Sequence, residues 1–369
     1  MSLSGICDPR FQAVRDVFEQ SFTDGEELGA RFSFIVDGET VIDLWGGHAD
    51  HKRERAFDAA TLVPVFSVTK ALTATLIARL VEAGKLAYAQ PVAEVWPEFA
   101  QAGKAAITVE QLMSHQAGLP GFLEPMDPAL WFDWDAICAK LAAQPPMWPP
   151  GTASGYHAVT VGYLAGEVFR RVDGRTVGTA LKEDVREALG LDLWIGLPDE
   201  EHGRVAELQR PKALPQFGEV TDPKKAAFLT PWAAPGGRSG ADWRRAEIPS
   251  ANGHVRGLDL ARFMAMLADG DSPLLKASTV AEASRERIHG QDLVLPFVMS
   301  WGAGYMRNEP NFFYGPTPTT IGHSGWGGAC AFADTQRRVA GAYVMNKQDV
   351  HLIGDPRSRR LIDAAYACL

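Results

Sequence analysis

Two hairpin signals, one near each end of the chain, constrain the fold more than any other feature. Arg31 to Val36 and Val41 to Trp45 are β-favouring apolar runs separated by Asp37-Gly38, and Asp-Gly between such runs specifies a tight turn. Ala329 to Ala333 and Val339 to Met345 repeat the pattern around Asp334-Thr335-Gln336. An isolated hairpin is marginal in water, so each pair needs more strands or a helical cover. Helical spacing is present nearby: Phe11, Val14, Val17 and Phe18 share one face over residues 9–22, and a last helix is expected from Arg359 to Cys368. Strand pairs at both ends with a helix-rich middle predict one antiparallel sheet built from the two termini. The expected class is α/β, an antiparallel sheet flanked by helices with an inserted helical domain. We expect residues 1–75 and 180–369 in the α/β unit and 76–179 in the helical one.

The tetrapeptide Ser67-Val68-Thr69-Lys70 lies where an extended run, Leu62 to Phe66, hands over to a helical one. The helix is expected over Lys70 to Gly84, with Leu72, Leu76, Ile77 and Leu80 on its apolar stripe. Three residues is nearly one turn, so Ser67 and Lys70 share a face. A serine hydroxyl is a weak nucleophile, but an amine whose pKa is depressed by burial can take its proton. A helix N-terminus adds N–H groups that favour developing negative charge. With 15 serines and 11 lysines, chance supplies roughly half a Ser-x-x-Lys match in such a chain, so position carries the argument. The bland reading is an exposed first-turn pair.

Two further segments have parts such a site would need. Residues 144–155 are too rich in Pro and Gly for regular structure, and they deliver Tyr156-His157-Ala158 to the start of a helix expected from Val159 to Val172. A phenol titrates near pH 10 and needs a close cation to act as a base at neutral pH. Lys70 is the candidate cation; the alternative is a core tyrosine with a satisfied hydroxyl. Gly322-His323-Ser324-Gly325-Trp326-Gly327-Gly328 runs into the strand Ala329 to Ala333. Glycines at a strand edge let a substrate approach the backbone, and an N–H there can serve an oxyanion. Against this stand a plain glycine-rich turn and a hydrogen-bonded turn histidine.

Together these residues resemble the serine β-lactamase and penicillin-binding-protein superfamily, and within it the class C β-lactamase-like esterases called family VIII carboxylesterases. The resemblance rests on Ser67-x-x-Lys70, on Pro150-Gly151 before Tyr156 with the helix at Gly162-Tyr163-Leu164, and on Gly322-His323-Ser324-Gly325. It also rests on Thr108 to Pro120, which is similar to the branch's T-x-x-x-L-L-x-H-x-S-G-L. The motifs span nearly the whole chain in order. They imply an α/β sandwich and a helical domain with the active site in the groove between them. They imply Ser67 as nucleophile of an acyl-enzyme, with Lys70 and Tyr156 as one proton-transfer unit. In that unit Tyr156 is the base in acylation and the acid to the leaving alcohol, and Lys70 keeps its pKa low. The oxyanion hole would be the N–H groups of Ser67 and Trp326, and substrate would lie against His323, Ser324, Gly325 and Trp326.

Two departures bear on substrate. Where the β-lactamases carry Tyr-x-Asn this chain has Ala158, and where they carry Lys-Thr-Gly it has His323. Alanine cannot hold a side-chain amide, and a histidine near its ordinary pKa is mostly neutral at pH 7. Each lost charge-assisted contact is worth roughly 1.5–3 kcal/mol, which disfavours an anionic lactam more than a small neutral ester. A short-chain carboxylesterase is therefore expected; a β-lactamase, a D-Ala-type amidase or an acyltransferase is the alternative. An α/β-hydrolase elbow at Gly322 to Trp326 is rejected because a strand follows it, where that elbow needs a helix.

The net charge of −9 argues against nucleic acid or anionic membrane as a partner. No apolar stretch reaches spanning length, and the start lacks a secretory pattern, so a cytoplasmic enzyme is expected. Cys7, Cys138, Cys330 and Cys368 lie in no metal-like spacing, and His48/His51 lacks companion ligands; neither metal nor cofactor is expected. The only expected partner is a small ester.

Overall fold

The computed structural model describes residues 3–236 and 240–369. The described strands are β1 (Ser4–Cys7), β2 (Gly29–Val36), β3 (Glu39–Gly47), β4 (Val63–Pro64), β5 (Leu193–Trp194), β6 (His254–Val255), β7 (Ile288–Gln291), β8 (Val298–Trp301), β9 (Met306–Arg307), β10 (Ile321–Ser324), β11 (Cys330–Asp334) and β12 (Val339–Met345). Both hairpins form. Asp37 and Gly38 turn the first with φ of 48° and 78°, the left-handed pair a two-residue turn requires. The two ends of the chain meet where β12 runs antiparallel to β2, from Val339 opposite Val36 to Met345 opposite Ala30. The full sheet has the order β1-β3-β2-β12-β11-β10-β9-β8-β7. Sequence reasoning missed its far edge, β7 to β9, because those strands are two to four residues long and too short to show a period.

Helices cover both faces. Gln12–Thr23 and Pro356–Tyr366 pack together, and Phe11 and Tyr366 set their rings against Phe34 of β2. On the opposite face Gly257–Ala268 lies across β2, β11 and β12, its first residue against Arg31 and Val344. The helices Thr69–Glu82, Trp134–Ala143 and Thr160–Asp173 form a second packed group.

The extended run before Ser67 is a strand for two residues only. β4 pairs with β6, which also pairs with β5, in a small three-stranded sheet. Phe66–Val68 then make a single 3₁₀ turn, and the α-helix starts at Thr69. Ser67 therefore sits on the turn before the helix. Phe66 has φ of 46°, a left-handed conformation that a bulky side chain adopts at a cost of order 1–3 kcal/mol. The helix is buried nearly all round, Ala71, Thr73 and Thr75 as well as the expected Leu72, Leu76, Ile77 and Leu80, so it is a central element and not a surface one.

Candidate active site

Three segments far apart in sequence surround the Lys70 amine. Its Nζ lies 3.0 Å from Ser67 Oγ, 2.7 Å from the carbonyl of Ala158 and 2.9 Å from that of Ser250. Lys70 is buried, and no carboxylate among the described residues pairs with it. Desolvation accordingly pushes its pKa well below the usual lysine value. A neutral amine has two N–H groups and one lone pair. The amine donates to Ser67 Oγ as well as to the two carbonyls; in its neutral form the carbonyls can accept both N–H groups, and the lone pair then faces Ser67 Oγ. Ala158 thus serves the site through its backbone, although its side chain carries no polar atom.

Ser250 is a part that sequence reasoning did not find. Asn252 shapes its loop: Oδ1 accepts from Ile248 N at 2.9 Å, and Nδ2 donates to the carbonyls of Trp243 and Ala246. Ser250 Oγ donates to Val159 O at 2.7 Å, and Gly162 must lack a side chain because a Cβ there would sit 2.6 Å from that hydroxyl. A carbonyl is common to every residue type, so no local signal could have singled it out.

Tyr156 is buried with its hydroxyl directed toward Ser67. Its ring stacks on Trp301 at 5.7 Å and 10°, and Lys70 Nζ lies 4.8 Å from the ring centroid. The amine thus addresses the face of the ring. Burial raises the phenol's pKa above its ordinary value, the Ser67 hydroxyl only partly opposing it. The expectation that Lys70 holds this pKa down is therefore corrected: burial raises it, and desolvation disfavours the charged form of both groups.

A second group missed in the sequence anchors the tyrosine. Asp292 is buried; its Oδ1 accepts from the N–H of Tyr156, Val294 and Leu295, each at 2.9 Å. Its Oδ2 accepts from Ser154 Oγ at 2.9 Å and from Trp301 Nε1 at 3.4 Å. His157 pins the same loop, Nδ1 donating to Gly155 O and Nε2 accepting from Leu119 N at 2.9 Å. Burial takes His157 down to about 3, which keeps it neutral as this bonding requires. His115, in the left-handed region at φ 63°, packs edge-on against Tyr156 and Trp301.

Ser324 and Trp326 line the cleft beside Ser67, whereas His323 and Gly325 do not, which corrects two of the four expected substrate contacts. Alternation along β10 turns His323 inward, fully buried behind Tyr156 and Trp301, with Nδ1 2.8 Å from Ser324 O. Burial, with Lys70 nearby, lowers its pKa to about 3, so it offers no positive charge. Gly325 has a different use: a Cβ there would sit 2.1 Å from Val65 O, so only glycine lets the end of β10 approach the turn that carries Ser67. Trp326 follows in the turn closed by Gly325 N donating to Ala329 O at 2.7 Å. Trp243 and Trp326 line the cleft, while Trp131, Phe132 and Trp134 border a separate pocket by the helical group.

The cleft encloses about 730 Å³, including the part open to solvent. Its walls include Phe66, Val159, Phe228, Trp243, Leu295 and Ile353; the polar side chains among its lining residues are Ser67, Tyr156 and Ser324, and none is charged. Among the described residues no group of His, Cys, Asp and Glu is placed to hold a metal, and no helix is long and apolar enough to cross a membrane.

The chain is similar to known proteins over nearly its whole length. The beta-lactamase family model matches residues 14–365. The esterase/beta-lactamase LipL of Mycobacterium tuberculosis is 32% identical over 362 residues, covering 93% of this chain and 82% of that protein. Among solved structures, a penicillin-binding-protein homologue from Caulobacter crescentus superposes with a TM-score of 0.98 at 64% identity, and a family VIII carboxylesterase with 0.94 at 43%; each match covers the whole of both chains.

Proposed function

The chain belongs to the beta-lactamase family, as a serine hydrolase with carboxylesterase relatives, and from this premise we propose that it cleaves short-chain carboxylic esters through an acyl-enzyme on Ser67. The observation that carries the reading is the cleft itself: its lining has three hydroxyls, that of Ser67 among them, and no charged side chain. A lactam carboxylate would find no cation in the inner cleft, since the neutral, buried His323 occupies the position that would anchor it, and Ala158 leaves a lactam side-chain amide without a partner.

In acylation Ser67 Oγ forms a bond to the ester carbonyl carbon while its proton moves to the neutral Lys70 amine. The carbonyl π pair moves to oxygen, where the N–H groups of Ser67 and Trp326 are the proposed donors. Collapse breaks the bond to the alcohol oxygen. The Tyr156 phenol, kept protonated by burial, gives that oxygen its proton and is reprotonated from Lys70. Water then repeats the sequence on the acyl-enzyme: it loses a proton to the same pair, releases the acid and restores Ser67. The Lys70 amine is the general base here, a change from the tyrosine base the motifs suggested; the two groups still act as one unit.

The test is a side-by-side assay on p-nitrophenyl acetate through decanoate and a chromogenic cephalosporin. We expect the highest kcat/KM at acyl chains of about two to six carbons, because an aromatic-walled cleft fills quickly. A serine-reactive phosphonate should add one mass label, at Ser67. A cephalosporin hydrolysed within tenfold of the best ester would establish the β-lactamase alternative instead.

A further inference from the structure

The catalytic cleft opens into an outer pocket of about 1260 Å³, including its solvent-open part. The two share Phe66, Phe228, Ala234, Pro235 and Trp326, so one ligand can run from Ser67 past the Trp326 indole into the outer space. The outer pocket differs in charge. Its lining includes Arg210 and Lys212 and, among the described residues, no Asp or Glu. In a chain with 45 acidic and 36 basic residues this is an inversion of the average surface. Neither cation has a hydrogen-bond or ion-pair partner among the described residues, whereas most arginines elsewhere reach a carboxylate. The segment that presents them is held in place: Gln209 N donates to Asn346 O at 2.7 Å, and Gln348 N to Gln209 O at 2.9 Å, which ties it to the chain leaving β12.

We propose that Arg210 and Lys212 form an anion subsite at the cleft mouth, and that the preferred substrates are esters whose far end carries a carboxylate or a phosphate. This rests on the esterase reading and deepens it. The inner cleft takes the uncharged ester and a few carbons around it, and the charged end stays in the hydrated outer pocket, where two unpaired cations meet it without a desolvation cost like that of the interior. An exposed ion pair contributes a factor of up to about five in affinity, and less as salt rises.

The experiment is a pH-stat comparison of matched esters at low salt. One arm uses butanoate esters of ω-hydroxy acids of increasing length; a second uses methyl half-esters of dicarboxylic acids, which places the anion on the acyl side. Each is paired with its neutral primary amide, and a butanoate of an ω-hydroxyalkyl phosphate separates phosphate from carboxylate. The expected result is a kcat/KM ratio, anion over amide, of about five or more in one arm at one chain length. It should fall toward one at 0.5 M salt and in Arg210→Gln/Lys212→Gln, and drop below one in Arg210→Glu/Lys212→Glu. Because the ratio is taken within each protein, a loss of folded enzyme cancels. Ratios within twofold of one in both arms, or a preference that survives the double substitution, would overturn the subsite while leaving the esterase reading standing. If the neutral esters and the anionic ones are all untouched, both readings fall together.

Discussion

At the scale of single residues, the site is organised by what Lys70 cannot do. It is buried with two carbonyls and a hydroxyl and, among the described residues, no carboxylate, so desolvation disfavours its charged form and pushes its pKa well down. Lys70→Arg should therefore fail to support turnover: a guanidinium stays protonated and cannot accept the Ser67 proton. We expect losses of at least about a thousandfold in kcat for Lys70→Arg and for Ser67→Ala, within the span that removal of a catalytic group produces elsewhere. The acid limb of the kcat/KM profile, where Lys70 becomes protonated, should lie well below the ordinary lysine range; a limb near pH 10 would sink the amine as base. Lys70→Met and Tyr156→Phe combined should cost scarcely more than the worse of the two, since they act as one unit. Asp292 is a positioning residue. Asp292→Asn puts an amide N–H group among the site's own donors and should loosen the Tyr156 loop, lowering kcat by about ten- to a hundredfold with KM nearly constant. A variant with kcat within twofold of the parent would remove that role.

At the scale of elements, the proposed chemistry requires the end of β10 to lie close against the turn at Ser67. Gly325 allows the contact: its missing Cβ would lie 2.1 Å from Val65 O. Gly325→Ala must push strand and turn apart, so it should lower the melting temperature by several degrees and turnover by at least about tenfold. An active Gly325→Ala enzyme with unchanged melting would show the contact to be loose. The turn itself is held from behind, where Gly253 accepts from Val65 N at 2.9 Å and donates to Thr69 Oγ1 at 2.8 Å. These bonds keep Phe66 in its left-handed conformation and aim the 3₁₀ turn into the cleft.

At the scale of the whole molecule, burial of histidines sets the response to acid. His157, His254 and His323 are fully buried with pKa values lowered to about 3. Unfolded histidine takes up a proton near pH 6.5 and these folded ones do not, so each removes stability as pH falls from about 6.5 toward 3. Glu27 acts in the opposite sense. Burial raises it to about 7, so the folded state holds a proton that an unfolded glutamate releases above its model value of 4.5. The buried imidazoles, His115 with them, outnumber the one carboxyl, so stability should fall on balance between pH 7.5 and 5. Denaturant titrations at the two pH values measure it directly; equal midpoints would show that the imidazoles are solvated and protonated in the folded state.

The parts of this protein that the sequence determined alone are those with a local physical cause. Asp37-Gly38 imposes a turn by its backbone, the 3.6-residue spacing of Phe11, Val14 and Phe18 imposes a buried helix face, and Ser67 and Lys70 must be neighbours because one helical turn separates them. The tertiary structure decided everything that depends on a partner distant in the chain. The carbonyl of Ser250 and the carboxylate of Asp292 have no motif, because their roles come from where the fold delivers them and not from what surrounds them in sequence. The direction of the Tyr156 shift and the inward turn of His323 were likewise set by burial, a property of the packed molecule: water withdrawn from three dimensions outweighs the nearest charge that a sequence can point to.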